Sequence, residues 1–91
     1  MIEREIIVRM EFGLHARPAS LIVDKLGALR IDSANMVFNG ITANLCSILS
    51  LLITAVAPGD TVTVRISGQD AQPAMDIVEK ILSAARVEDI A

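Results

Sequence analysis

Asn39-Gly40 constrains this chain more than any other feature. A tight two-residue hairpin needs positive φ at both central positions, and asparagine followed by glycine is the strongest short signal for one. Asp32 to Phe38 alternates in character before it, so these residues form one arm of a hairpin and the residues after Gly40 form the other. A lone hairpin is marginal in water, so further strands and a cover are required. Thr61 to Ser67 supplies a strand, with Val62, Val64 and Ile66 set against Thr61, Thr63, Arg65 and Ser67 after the turn-forming Pro58-Gly59-Asp60. Glu3 to Arg9 supplies another, with Glu3, Glu5 and Ile7 on one side and Arg4, Ile6 and Val8 on the other.

The cover is helical. Ala16 to Leu26 carries Ala19, Ile22, Val23 and Leu26 at helical spacing, with Pro18 in the first turn where its missing N–H costs nothing. Gly27 suits the left-handed residue that often closes a helix. From Asp70, an expected N-cap, Ala74, Ile77, Val78, Ile81 and Leu82 form one stripe as far as about Ala85. Between Asn44 and Val56 the pattern is ambiguous: Leu45, Ile48, Leu49, Leu52 and Ile53 fit a helix, while Ile53-Thr54-Ala55-Val56 fits an extended segment. The reading adopted is a short helix, Ser47 to Ile53. The resulting order, β-α-β-β-α-β-α, predicts an α+β fold of the open-faced sandwich type. A four-stranded antiparallel sheet carries three helices on one face and leaves the other face wetter.

Composition narrows the function. At 91 residues, a single domain spanning 1–91 is expected, without internal repeats or linkers, and 53% hydrophobic residues exclude a disordered chain. A net charge of −3, with 8 Lys+Arg and neither Trp nor Tyr, argues against nucleic acid as a partner. One cysteine and one histidine cannot make an internal disulfide or a four-ligand zinc site, so no metal or cofactor is expected and a cytoplasmic location is. The start of the chain lacks the pattern of a secretory signal. The uncharged window Leu45 to Ala57 is shorter than the ~20 residues that cross a bilayer, so it is read as a buried element rather than as membrane-embedded. Cys46 is read as a small buried hydrophobe in preference to a reactive thiol. Met1, Met10, Met36 and Met75 show no ligand spacing, and Glu88-Asp89 reads as a solvated tail carrying no site.

The single histidine lies in Gly13-Leu14-His15-Ala16-Arg17-Pro18-Ala19, at the start of the first helix. A helix start directs free N–H groups and partial positive charge outward, so an anion beside His15 would meet the amides of Ala16 and Arg17. Arg17 could add its guanidinium fork. Imidazole is substantially neutral at cellular pH and therefore nucleophilic, which makes a phosphoryl group a fitting cargo. The plainer reading, that His15 only caps a helix, stands equally on these grounds.

This seven-residue run resembles the active-site signature of the HPr family, the histidine-containing phosphocarriers of the bacterial sugar phosphotransferase system. The resemblance continues through Asn39-Gly40, Asn44-Leu45, Ser47-Ile48-Leu49 and Ala57 with Gly59, so it covers nearly the whole chain. It implies a monomeric carrier, not a turnover enzyme. His15 would take a phosphoryl group on Nδ1 from phospho-enzyme I and pass it to an enzyme IIA, with Arg17 assisting. Ser47 matches the family's regulatory serine, the target of an HPr kinase/phosphorylase, although a serine entering a helix is also an ordinary N-cap. A phosphate there would lie beside an apolar docking surface of Ile48, Leu49 and Leu52. Departures from the family pattern are Cys46 and Pro58 in place of lysines, Ser50 and Ala55 in place of glycines, and one extra residue between His15 and Ser47. They thin the cationic rim and leave open a regulatory or nitrogen-type paralogue acting as a phosphorylation-switched binding module. A plain small α+β domain is the third reading.

Overall fold

The computed structural model describes residues 1–90. Asn39 and Gly40 adopt φ of 54° and 79°, and they join β2 (Ser33–Phe38) to β3 (Ile41–Asn44) in the expected hairpin. Register runs from Phe38 opposite Ile41 to Asn35 opposite Asn44. β4 (Thr61–Ser67) lies antiparallel to both β2 and β1 (Ile2–Ile7), which gives one four-stranded sheet in the order β1-β4-β2-β3.

Strand alternation decides which face is covered. Ile6, Ala34, Met36, Ala43, Val62, Val64 and Ile66 are buried beneath the helices, whereas the open face is polar and Glu3 pairs across to Arg65 at 2.6 Å. α1 (Ala16–Leu26) buries Pro18, Ala19, Ile22 and Leu26, and α3 (Ala71–Ser83) buries Ala71, Ala74, Met75, Val78, Ile81 and Leu82. These side chains form one core with the sheet, as expected for an α+β open-faced sandwich. Arg4 straps β1 to α3 through Glu79 at 2.7 Å and Asp76 at 3.3 Å, and its hydrogen bonds to Asp76 and Glu79 raise its pKa above the ordinary value.

Several local expectations are corrected. β1 ends at Ile7, β2 begins at Ser33, and α3 ends at Ser83 because Ala84 turns extended. Gly27 has φ −62° rather than a left-handed conformation, since the chain continues past Leu26 in a helical turn. Asp70 stands at the N-cap of α3, but its carboxylate accepts from the Arg30 amide at 2.7 Å instead of capping its own helix. Cys46 is exposed, not buried. Asn44 Oδ1 accepts its N–H at 2.9 Å, and in the turn this makes Leu45 enters the core while Cys46 points out. The window Leu45 to Ala57 is not a buried element as a whole: α2 (Ile48–Ile53) buries only Leu51. Six residues at the edge of the helical layer offer one inward position, and the rest of its apolar stripe faces solvent.

Candidate functional site

The loop entering α1 is fixed from beneath. Gly13 has φ +70°, and a Cβ there would come within 2.4 Å of the Val56 carbonyl oxygen, so only glycine fits the close approach. The neighbouring Leu14 is buried, and its amide donates to the same carbonyl at 3.1 Å. Anchored on both residues, the chain delivers His15 to the start of α1 in an extended conformation, φ −106° and ψ −171°. The His15 carbonyl accepts the helix-closing bond from the Ala19 amide at 3.1 Å. Its imidazole makes no capping hydrogen bond, so the half-buried ring does not occupy the helix start. First-turn amides have no acceptor within their own helix, and those of Ala16 and Arg17 lie at the start of α1 beside His15.

Two residues that sequence reasoning missed flank His15. Phe12 is 77% exposed and stands edge-on to the imidazole, with ring centroids 6.2 Å apart at 76°. Glu88, expected in a solvated tail, accepts a hydrogen bond from Arg17 Nη1 at 3.0 Å. Phe12 carried a faint signal, a lone aromatic next to Gly13-Leu14-His15; Glu88 carried none, because its partner lies 71 residues away.

Ser47 occupies the N-cap of α2. Its Oγ accepts from the Ser50 amide at 3.3 Å, and Ser50 Oγ in turn accepts from the Asn44 amide at 2.9 Å. Leu49 is 70% exposed, while Ile48 and Leu52 stand near 38% and 37%. Ile53, outside the expected docking set, is exposed as well. An open groove of about 670 Å³ joins the two helix starts, lined by Ala16, Arg17, Ser20 and Leu21 on one side and Ile48 on the other. The structure thus brings His15, Ala16 and Arg17 together and connects them to the apolar side of α2. Among the described residues no group of His, Cys, Asp and Glu could hold a metal ion, and no helix is long and apolar enough to cross a membrane.

Residues 2–84 match the family model described as the PTS HPr component phosphorylation site. The chain is 36% identical over 77 residues to the HPr-like protein Crh of Halalkalibacterium halodurans, covering 84% of this chain and 89% of that one. It is 25% identical over 83 residues to phosphocarrier protein HPr of Mycoplasma pneumoniae, covering 91% and 94%. The crystal structure of HPr from Bacillus anthracis superposes with a TM-score of 0.84 at 26% identity, over 90% of this chain and 96% of that one. The chain belongs to the HPr family of phosphotransferase-system phosphocarriers.

Proposed function

We propose that His15 is the phosphoryl acceptor, loaded by phospho-enzyme I and discharged to an enzyme IIA. The observation that carries this reading is the free imidazole at an uncapped helix start, beside Arg17 and within the family's motif. In the transfer, the Nδ1 lone pair of neutral His15 attacks phosphorus while Nε2 keeps the ring proton. The new P–N bond forms as the donor's bond to phosphorus breaks and its electron pair leaves with the donor. The Ala16 and Arg17 amides and the Arg17 guanidinium oppose charge on the phosphoryl oxygens. Ile48, Leu49 and Leu52 form the surface on which partners dock, since exposed apolar residues beside a reactive group commonly mark one.

The second reading is a regulatory paralogue switched at Ser47 by an HPr kinase/phosphorylase. It is supported by the likeness to a Crh protein and by the place of Ser47 beside the apolar face of α2. The chemistry of the label separates the two. Incubation with enzyme I and phosphoenolpyruvate is expected to give an acid-labile phosphoryl group that His15→Ala abolishes, with melting temperature nearly unchanged because the imidazole caps nothing. Retained labelling of that variant excludes His15, and an acid-stable label formed only with ATP and a kinase favours Ser47.

A further inference from the structure

Phe12 and Phe38 are the only aromatic residues of the chain. Phe38 packs against the core, whereas Phe12 is left outside it, three residues before His15. The turn that carries Phe12 is fixed at both ends. Met10 and Leu14 are buried, and the Gly13 amide donates to the Met10 carbonyl at 3.0 Å, closing a turn over Glu11 and Phe12. The Glu11 amide donates in turn to the Ala85 carbonyl at 2.7 Å. Phe12 therefore stands on a held backbone, and its ring meets the His15 imidazole edge-on. The alternative place for that imidazole is the helix start. Nδ1 is the ring nitrogen nearer the backbone, and as an acceptor it could cap α1 as a serine or aspartate would. Pro18 stands third in the helix and has no N–H, so the Arg17 amide is the donor that such a cap would take. That bond would use up at once the lone pair that attacks phosphorus and an amide that opposes charge on the phosphoryl oxygens.

We propose that Phe12 is a positioning residue whose edge-on contact gives the imidazole a resting place off the helix start, so that Nδ1 and the Arg17 amide stay free for the phosphoryl group. The inference rests on His15 being the acceptor. Two rings at this separation and angle attract, because the electron-poor edge of one meets the electron-rich face of the other. A contact of this kind and a single capping bond are of similar size, so removing the first releases the ring to the second. Phe12 makes no bond to phosphorus and acts through the imidazole alone.

The test compares the wild-type chain with Phe12→Ala and Phe12→Tyr, both of which should fold because Phe12 is exposed. NMR of the unloaded proteins reads the His15 ring protons and the Arg17 amide, and initial rates with enzyme I and phosphoenolpyruvate give kcat and KM for loading. Phe12→Ala should abolish the ring-current shift of the His15 protons and move the Arg17 amide signal as Nδ1 takes up the cap. It should also lower kcat by about two- to tenfold, the range open to one aromatic pair, with KM changed by less than about twofold. Phe12→Tyr keeps the ring and should restore all of these values. An unchanged kcat in Phe12→Ala overturns the proposal, as does a lowered kcat with the Arg17 amide unmoved. A rise in KM alone overturns it too, by making Phe12 a contact of enzyme I. If the wild type itself is not loaded, the phosphocarrier reading fails and this one falls with it.

Discussion

The starts of α1 and α2 both place an extended residue at the N-cap and are finished in opposite ways. At α2, Ser47 accepts from the Ser50 amide and Ser50 closes onto the Asn44 amide, so side chains of the turn itself satisfy the local donors. At α1, His15 has the same extended backbone but no capping bond, and its ring rests beside Phe12 instead. A satisfied helix start contributes stability; an unsatisfied one retains its dipole and donors for an incoming anion. On the function proposed above, that contrast gives Ser47 a structural role as it stands and His15 the reactive one.

The comparison can be broken most severely from beneath α1. Gly13→Ala introduces both a Cβ at 2.4 Å from the Val56 oxygen and a strained positive φ, so a loss of about 2–6 kcal/mol is expected. Chemical denaturation reads the stability, and slower loading of His15 should accompany it because the loop that presents the imidazole must move. The two faces of α2 should also separate cleanly. Leu51→Ala removes the one fully buried side chain of that helix and should cost about 2–5 kcal/mol. Leu49→Ala, on the exposed face, should shift stability by no more than about 0.5 kcal/mol while weakening binding to enzyme I. Titration calorimetry checks the latter, and unchanged affinity would remove Leu49 from the docking surface.

Smaller effects sharpen the contrast. Ser47→Ala should lose about 1 kcal/mol with loading of His15 unchanged, the signature of a cap. Ser47→Asp keeps an acceptor at a favourable helix end, so stability should hold while the added charge slows loading by enzyme I. Smallest of all is Ala55→Gly. Ala55 has φ 55°, in the segment that leads from α2 to the Val56 carbonyl beneath Gly13. Relief of that backbone strain, offset by the greater freedom of glycine in the unfolded chain, should raise stability by about 0.5 kcal/mol, measurable as a small rise in melting temperature.

What could be read in the sequence was what depends on neighbours along the chain. The alternation of Thr61 to Ser67, the period of α1 and α3, and the Asn39-Gly40 turn each express a local rule, and each element formed. Burial in the window around α2 was not legible, because an apolar stripe looks the same whether it faces a core or a partner. Within α2, Leu51, which did not belong to that stripe, is the residue that turned inward, and Leu45 just before the helix is the one member of the stripe that did. Cys46 was misjudged for a related reason: its environment is set by the turn at Asn44, and that turn leaves it outside. At the site, Gly13, His15 and Arg17 stand close together in the sequence, whereas Glu88 reaches Arg17 only through the packing of α3 on β1, β4 and α1.

Phosphorus–nitrogen correlation by NMR on the protein labelled with ¹⁵N and loaded by enzyme I and phosphoenolpyruvate tests the central claim most directly. It reports at once the nitrogen that carries phosphorus and the response of the backbone around it. The account predicts a bond at His15 Nδ1, with the amide signals of Ala16 and Arg17 moved and those around Ser47 nearly still. Phosphorus on Nε2 or on another residue, or loading of His15 that leaves the Ala16 and Arg17 amides unmoved, would contradict it.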